Sequence, residues 1–510
     1  AEILQARQRV YTVGEPTPLQ RLNLPGIQAP VYAKREDLGP IRAYKWRGAF
    51  NCMAALSQEA RDKGIVAASA GNHAQGVALA ARVLNCHATI FMPRSTPEVK
   101  QTEVRRHGGR HVKIMLHGDC YDETAAAAHE YTETHGCTFV HPYDDLVTMA
   151  GQGTLADEVV MSGEGPFDRA YVAIGGGGLA ASVACWLKKF WPRIKVIGVE
   201  GIDQASMKTS IEQGRRVNLD YVDVFCDGTA VHIPGELTYP LCRELVDEFV
   251  TVTNNEVCQA IRAMWESSRV VPEPSGAMSL AGFLKQWNRG EVKPEEKSFV
   301  VISGANMDFT HLTQIARQAG IGNHETRYLR ISMDSKRGQV LKYLRHIPQD
   351  TTLVDVQYGK TEGNTQHPVF GIAASDEDLD TIRTTLKKKG IEFEDISEDD
   401  DVRFRMIHYQ PELCQHPLFV HIEFPERAGA FLDFMERIAD LASLCYFNYT
   451  YTGERVGRAL VGMEFDTAED RETIRKRMGA FSKNIIRSIR EISPEAFQRI
   501  MGSRQLTGNH

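Results

Sequence analysis

Between residues 65 and 199, short apolar runs alternate with longer amphipathic stretches. The runs predict strands over 65–68, 88–92, 112–116, 138–141, 170–174 and 194–199. The stretches between them predict helices over 74–85, 97–107, 121–135, 148–161 and 179–191. The runs are short and mainly apolar. Strands separated in this way by helices indicate a mainly parallel sheet with helices on both faces. A short strand over 31–33, followed by the charged Lys34-Arg35-Glu36-Asp37, and a helix over 47–63 that stops at Gly64 lead into the pattern. Helices over 256–267 and 275–287 and a strand over 299–303 carry it to about Gly320.

After Gly320 the pattern changes. Strands are expected over 328–333, 353–358 and 369–373, with helices over 339–345 and 376–389. A similar order returns about ninety residues later: strands over 419–423, 445–451 and 458–464, helices over 429–439 and 468–479. Lys336-Arg337-Gly338 answers Arg427-Ala428-Gly429, Tyr358 answers Tyr449, and Thr381-Ile382-Arg383 answers Thr473-Ile474-Arg475. We read an internal duplication of a βαββαβ unit, the alternative being two unrelated α+β domains. The expected domains are 1–320, with a smaller subdomain at about 48–150 inserted, then 327–410 and 416–505. The acidic run Glu398-Asp399-Asp400-Asp401 reads as a solvated loop between the copies.

A chain of 510 residues exceeds one compact core, which agrees with several domains. With 42% hydrophobic and 25% charged residues, wholesale disorder is excluded. The net charge of −7 argues against a general nucleic-acid binder, and no apolar run reaches membrane-spanning length. Residues 1–10 are polar and show no secretory signal. The 10 cysteines are scattered singly, without a C-x-x-C pair, which argues against a zinc site or a disulfide scaffold. We therefore expect no metal and a cytoplasmic location, or a reduced organelle interior if a targeting segment has been removed. His107 and His111 flank Gly108-Gly109 and read as loop histidines.

Four stretches carry chemistry. In Ala43-Tyr44-Lys45-Trp46-Arg47-Gly48-Ala49 the aromatic flanks could desolvate the Lys45 amine. A partly neutral amine can form a Schiff base with an aldehyde cofactor; an exposed lysine at a helix start is the alternative. Gly175-Gly176-Gly177-Gly178-Leu179 follows a strand and opens a helix, where converging N–H groups suit an anion such as a phosphate. The same stretch fits a dinucleotide fingerprint, with Glu200 placed as its ribose acid. Ser69-Ala70-Gly71-Asn72-His73-Ala74-Gln75-Gly76 crowds polar groups between a strand and a helix, where open α/β sheets bind ligands. Asn72 could donate to a phenolate oxygen and Ser69 with nearby N–H groups to a carboxylate; a helix cap is the plainer reading. Ser303-Gly304-Ala305-Asn306 is the fourth.

Taken in this order, the four stretches resemble those of the fold-type II pyridoxal-phosphate enzymes, and most of all the biosynthetic threonine deaminases (threonine ammonia-lyases), along essentially the whole chain. The resemblance implies two open twisted, mainly parallel sheets followed by two ACT-like α+β domains. It implies that Lys45 binds pyridoxal 5′-phosphate covalently and later takes the Cα proton. Asn72 would meet the pyridoxal 3′-oxygen, and Gly175, Gly176, Gly177, Gly178 and Leu179 the phosphate. Ser303 would face the pyridine nitrogen, Glu273 would lie near the cofactor, and Ser69, Ala70, Gly71, Asn72 and His73 would hold the substrate. A Ser partner need not keep the ring nitrogen protonated, which tempers the electron sink and suits elimination. The implied reaction is deamination of L-threonine to 2-oxobutanoate and of L-serine to pyruvate, in a homotetramer. L-Isoleucine would inhibit and L-valine oppose it. The turn before residue 430 places N–H groups at a helix N-terminus, suited to an amino-acid carboxylate, so Arg427, Ala428, Gly429, Phe431 and Leu432 are the expected effector residues.

Ala43, Tyr44 and Trp46 depart from the family's usual Ser, Phe and aliphatic residue. Ala70 stands where serine racemases carry a second base, which disfavours a dehydratase–racemase. A nucleotide-dependent oxidoreductase rests on the glycines and Glu200 alone, and the intact Lys45 argues against a catalytically silent sensor.

Overall fold

In the computed structural model, residues 1–94, 96–118, 121–309, 311–322, 326–334, 339–345, 352–374, 376–397, 399, 402, 406–425, 430–450, 456–481, 486 and 488–501 are described. The chain divides into two units, Ala1–Gly322 and Asn323–His510.

Two sheets build the first unit. Its strands are β1 (Leu19–Leu22), β2 (Val31–Arg35), β3 (Ile65–Ala68), β4 (Ala88–Met92), β5 (Val112–Leu116), β6 (Thr138–Phe139), β7 (Arg169–Ala173), β8 (Lys195–Gly201), β9 (Glu248–Val252) and β10 (Ser298–Ile302). The larger sheet runs β1-β2-β10-β7-β8-β9 and the smaller β5-β4-β3-β6. All pairs are parallel except β1 with β2. The chain leaves the large sheet after β2, builds the small one, and returns at β7. Every residue of β3, β7 and β10 is buried, which is why those runs carry no polar alternation.

Several elements differ from the sequence expectation. Helix Lys45–Ala55 ends at Leu56, whose backbone is extended, and Ser57 caps a separate helix, Gln58–Asp62, through the Ala60 N–H at 3.2 Å. Residues Glu2–Val10 form a helix that buries Ile3, Ala6 and Val10. His107 is the penultimate residue of helix Glu98–Gly108 and is buried.

The largest difference is at Lys34-Arg35-Glu36-Asp37. The strand continues through Arg35, and all four charged residues are buried. Their charges are paired. Arg35 reaches both oxygens of Asp37 at 2.7–2.8 Å. Arg47 grips Glu36 twice, at 2.8 and 3.0 Å, and Glu158 twice, at 2.5 and 3.0 Å, and donates to Thr154 Oγ1 at 3.0 Å. Lys34 donates to Glu158 and Thr17. Burial and the facing Arg47 charge push the Lys34 pKa down, while Glu36 and Glu158 push it up; burial wins.

In the second unit the strands are β11 (Thr326–Ile331), β12 (Met333–Asp334), β13 (Thr352–Gly359), β14 (Thr365–Gln366), β15 (Val369–Ala373), β16 (Phe393–Asp395), β17 (Leu418–Pro425), β18 (Ala442–Thr450), β19 (Val456–Phe465) and β20 (Ser488–Glu491). Eight of them form one sheet in the order β16-β11-β15-β13-β18-β19-β17-β20, and β12 pairs with β14. Helices Gln339–Leu344 and Asp376–Lys388 accompany the first half, and Ala430–Ile438 and Ala468–Gly479 the second. The halves meet where β13 runs antiparallel to β18, pairing Val356 with Tyr449, Gln357 with Asn448 and Tyr358 with Phe447. Tyr358 and Tyr449, equivalent in the two copies, thus stand on opposite sides of the Gln357·Asn448 pair, as a local two-fold axis through that pair requires. Lys336-Arg337-Gly338, Arg427-Ala428-Gly429 and most of the acidic run lie outside the described residues. No helix among the described residues is long and apolar enough to cross a membrane.

Removing one partner of a buried ion pair typically costs about 3–5 kcal/mol, because the other charge is left uncompensated. Glu36→Ala should therefore destabilise the first unit by that order, measured as a lower urea midpoint at unchanged slope.

Candidate active site

Lys45 is the first residue of its helix, and the strip before it is sewn to the end of β10. The Tyr44 N–H donates to Ser303 O at 3.0 Å, the Ala305 N–H to Arg42 O at 2.9 Å, and Ala43 bridges Gly304. The lysine therefore stands beyond the carboxyl ends of the large sheet, where such sheets bind ligands. Its Nζ donates to Pro142 O at 2.8 Å and lies 5.4 Å from the Tyr44 ring centre and 6.0 Å from that of Tyr143. Burial lowers its pKa to about 8. The amine is thus neutral in about a tenth of molecules at pH 7 and about half at pH 8, far more than an ordinary lysine, as a nucleophilic lysine requires.

The glycine loop joins β7 to helix Gly178–Phe190. Gly177 has φ +97°, a left-handed conformation that favours glycine, and no side chain caps the helix. Among the described residues the N–H groups of Gly176, Gly177, Gly178 and Leu179 have no acceptor. Uncommitted amides at the start of a 13-residue helix form an anion cradle. A Cβ on Gly176 would come within 2.3 Å of the Tyr143 ring, and one on Gly178 within 2.7 Å of Tyr143 O. Tyr143 thus touches the glycine loop and faces the Lys45 amine.

The third wall follows β3. Ser69 Oγ accepts the Gly71 N–H at 3.2 Å, and a Cβ on Gly71 would meet nothing within 4 Å, so this turn borders open space. Asn72 Nδ2 donates to Glu273 Oε1 at 2.7 Å, while its Oδ1 accepts Asn306 Nδ2 at 2.7 Å. The Asn306 N–H donates to Glu273 Oε2 at 2.9 Å. Burial drives the Glu273 pKa up to about 8, outweighing the hydrogen bonds from Asn72 and Asn306 that favour the carboxylate. Ser303 is buried, its Oγ 3.4 Å from Ser275 O. Ala70 is half-buried.

His73 and Gln75 do not join that open face. Both are buried in helix Asn72–Val83, and His73 Nε2 lies 2.8 Å from Val140 O. Burial and the Lys45 charge lower the His73 pKa to about 3, so its ring is neutral. Glu200 is also committed elsewhere: it is 1% exposed and accepts the N–H groups of Met207 and Lys208, both at 2.9 Å. It is a buried helix cap and presents no oxygen to a ribose, which removes the support for a dinucleotide. Pro142, Tyr143 and Asn306 are the partners for which sequence reasoning named no role. The location of His-Pro-Tyr just past β6 was the available signal.

Of the expected effector residues, Arg427, Ala428 and Gly429 lie outside the described residues. Phe431 is buried, with its ring 4.3 Å from Phe447 and close to Phe424 and Phe434, and Leu432 packs against the same core. A shallow cleft lies elsewhere in the unit. Its walls include Met333, Val340, Met435 and Leu444, and Lys360 and Glu464, paired at 2.7 Å, lie at one side.

The model of the family described as pyridoxal-phosphate dependent enzyme matches residues 10–304, and that of the C-terminal regulatory domain of threonine dehydratase matches 414–487. The chain is 34% identical over 475 residues to the biosynthetic L-threonine dehydratase of Haemophilus influenzae, covering 92% of this chain and 91% of that one. It is 37% identical to the corresponding protein of Burkholderia multivorans, covering 91% and 92%. A solved structure of the processed form of threonine deaminase isoform 2 from Solanum lycopersicum superposes with a TM-score of 0.59 at 39% identity, over 63% of this chain and 88% of that one.

The raised pKa of Glu273 has a stability consequence. Folding favours its protonated form, so its contribution is full below the ordinary carboxylate value and is lost as pH rises through about 8. Glu273→Gln is neutral throughout and escapes that loss. Urea denaturation of the apoprotein should show the variant gaining on the wild type from pH 5 to pH 8, with a limiting slope of about 1.4 kcal/mol per pH unit. A difference independent of pH would mean that Glu273 is ionised in the fold.

Proposed function

Because the chain belongs to the pyridoxal-phosphate-dependent enzymes, among the biosynthetic L-threonine dehydratases, we infer that it deaminates L-threonine to 2-oxobutanoate and ammonia. The observation that carries the reading is the meeting of a partly neutral lysine and uncommitted loop amides on either side of Tyr143. They fit pyridoxal phosphate, since its aldehyde needs a partly neutral amine and its phosphate suits uncommitted amides at a helix N-terminus. When bound, the cofactor supplies an aldehyde for an amine and an electron sink for bond breaking at Cα.

The side chains divide the work. Lys45 holds the cofactor through its amine and, once freed, removes the Cα proton as a base whose pKa suits proton transfer near neutrality. The amides of Gly175, Gly176, Gly177, Gly178 and Leu179 bind the phosphate without adding a charge. Asn72, held in place by Glu273 and Asn306, donates to the 3′-oxygen. Ser303 serves the ring nitrogen. Ser69, Ala70, Gly71 and Asn72 bind the substrate carboxylate, and neutral His73 supports this turn from beneath. With Ala70 in place there is no hydroxyl for reprotonation from the opposite face, which supports elimination over racemisation.

L-Serine is a second substrate in this reading, giving pyruvate. The regulatory unit binds L-isoleucine as inhibitor, with L-valine opposing it. The cleft at Met333, Val340, Met435 and Leu444 supports this, offering apolar walls for a branched side chain and the Lys360–Glu464 pair for its charged end. The assembly is a homotetramer, as the resemblance implies. The location is the cytoplasm or a reduced organelle interior, supported by nine free cysteines among the described residues.

Lys45→Ala should fold but lose cofactor-dependent visible absorbance and at least roughly 10³-fold in threonine turnover. Turnover near wild type would overturn the role of Lys45. Isoleucine should shift the threonine saturation curve to higher concentration, by a coupling of about 1–3 kcal/mol, and Leu444→Ala should weaken that shift. An unchanged isoleucine response in Leu444→Ala would place the effector elsewhere.

A further inference from the structure

Behind the cleft of the regulatory unit stand two thiols that threonine chemistry does not use. Cys445 lies in β18 where pairing with β19 skips from Leu444 to Tyr446. A bulge residue drops out of the ladder and its side chain is re-aimed; Cys445 is fully buried. Cys414 closes the short turn Pro411–Leu413 and is half-buried. Lys360 ties the two segments together. Its N–H donates to Cys445 O at 2.9 Å, and its carbonyl accepts the Gln410 N–H at 2.8 Å. Its ammonium donates to Leu413 O at 3.0 Å and to Glu464 at 2.7 and 2.8 Å. On the other flank of Cys414, the Gln415 N–H donates to Glu464 Oε2 at 3.3 Å and Gln415 O accepts the Phe465 N–H at 3.0 Å.

This framework holds the Cys414 turn beside Cys445 on β18, both segments being bonded to Lys360. The neighbouring Cys445 thiol and, second, the Tyr409 hydroxyl, 3.5 Å from Cys414 Sγ, hold Cys414 down at about 7. The same contact, with burial, pushes Cys445 well above the usual thiol range. A half-buried, partly ionised thiol beside a buried one is the asymmetry of a reactive cysteine with a resolving partner.

We propose that Cys414 and Cys445 form a redox-active dithiol that hydrogen peroxide closes to a disulfide. The Cys414 thiolate attacks one peroxide oxygen. The O–O bond breaks, the sulfur is oxidised to a sulfenic acid, and the departing hydroxide takes up a proton as water. Cys445 then gives up its proton and attacks the sulfenic sulfur. The S–S bond forms, the S–O bond breaks, and a second water leaves. Two thiols and one peroxide yield one disulfide and two waters. The new bond fastens the segment that joins the two copies onto β18, against the Lys360–Glu464 side of the cleft.

The test uses the full-length holoenzyme, treated with stoichiometric hydrogen peroxide at neutral pH, quenched by alkylation, and mapped as non-reduced peptides. The expected product is a Cys414–Cys445 cross-linked peptide that dithiothreitol reverses, while exposed Cys185 is recovered alkylated. Cys414→Ser should turn over threonine normally, form no cross-link and leave Cys445 reduced. Without oxidant, iodoacetamide at pH 7 should label Cys414 several-fold faster than Cys185. Recovery of Cys414 as sulfinic acid with Cys445 free, oxidation of Cys185 ahead of Cys414, or slower labelling of Cys414 would each overturn the proposal.

Discussion

The Arg47 guanidinium is the constraint on which the catalytic unit depends. It cannot shed its charge, so a buried position is tolerable only if carboxylates fully surround it. Glu36 comes from the turn after β2 and Glu158 from helix Leu146–Met161, so satisfying Arg47 locks three elements to one point. Arg47 lies two residues after Lys45 on the same helix. Where the guanidinium is fixed, the start of that helix is fixed, and with it the amine. The network is also internally neutralised: two cations face two anions. Burial is accordingly the cause of the lowered Lys45 pKa, with no ion pair opposing it.

Buried charge of this kind is hard to read in a sequence. Lys34-Arg35-Glu36-Asp37 reads only as a charged run after a strand, because its partners Arg47, Thr17 and Glu158 lie 11, 17 and 124 residues away in the chain. Strands β3, β4 and β5 were legible because each is a short apolar run between helices. Strand β9, with mostly half-buried residues beside charged Asp247 and Glu248, was not. In the candidate site, the glycines and Asn72 were singled out by residue type and position after a strand, and Lys45 by its aromatic flanks together with those stretches. His73 and Gln75 misled for a geometric reason: helical periodicity turns them inward while Asn72 stays at the rim. Tyr143 and Asn306 act only through contacts made in the folded chain, which residue type does not announce.

A second theme is how little charge the candidate site exposes. Glu273 and Lys45 are both moved toward their neutral forms by burial, and His73 is held neutral. The anion cradle is made of backbone amides. A site of low charge and fixed dipoles does not need to reorganise when charge develops at a reacting centre.

The seam at Gln357·Asn448 carries a different consequence. Two identical chains meeting on a two-fold axis must present every off-axis pocket twice. Here the two halves are covalently joined, and each may change without the other. The cleft beside Lys360 and Glu464 shows the result: Ala373, symmetry-related to Glu464, carries no charge and cannot reproduce that ion pair. The regulatory unit is in effect a dimer released from symmetry. It keeps the shared sheet, without the dependence on concentration that holds a dimer together, and it carries the Lys360–Glu464 pair on one half alone. A ligand that relied on that pair would therefore find one such place per chain, not two.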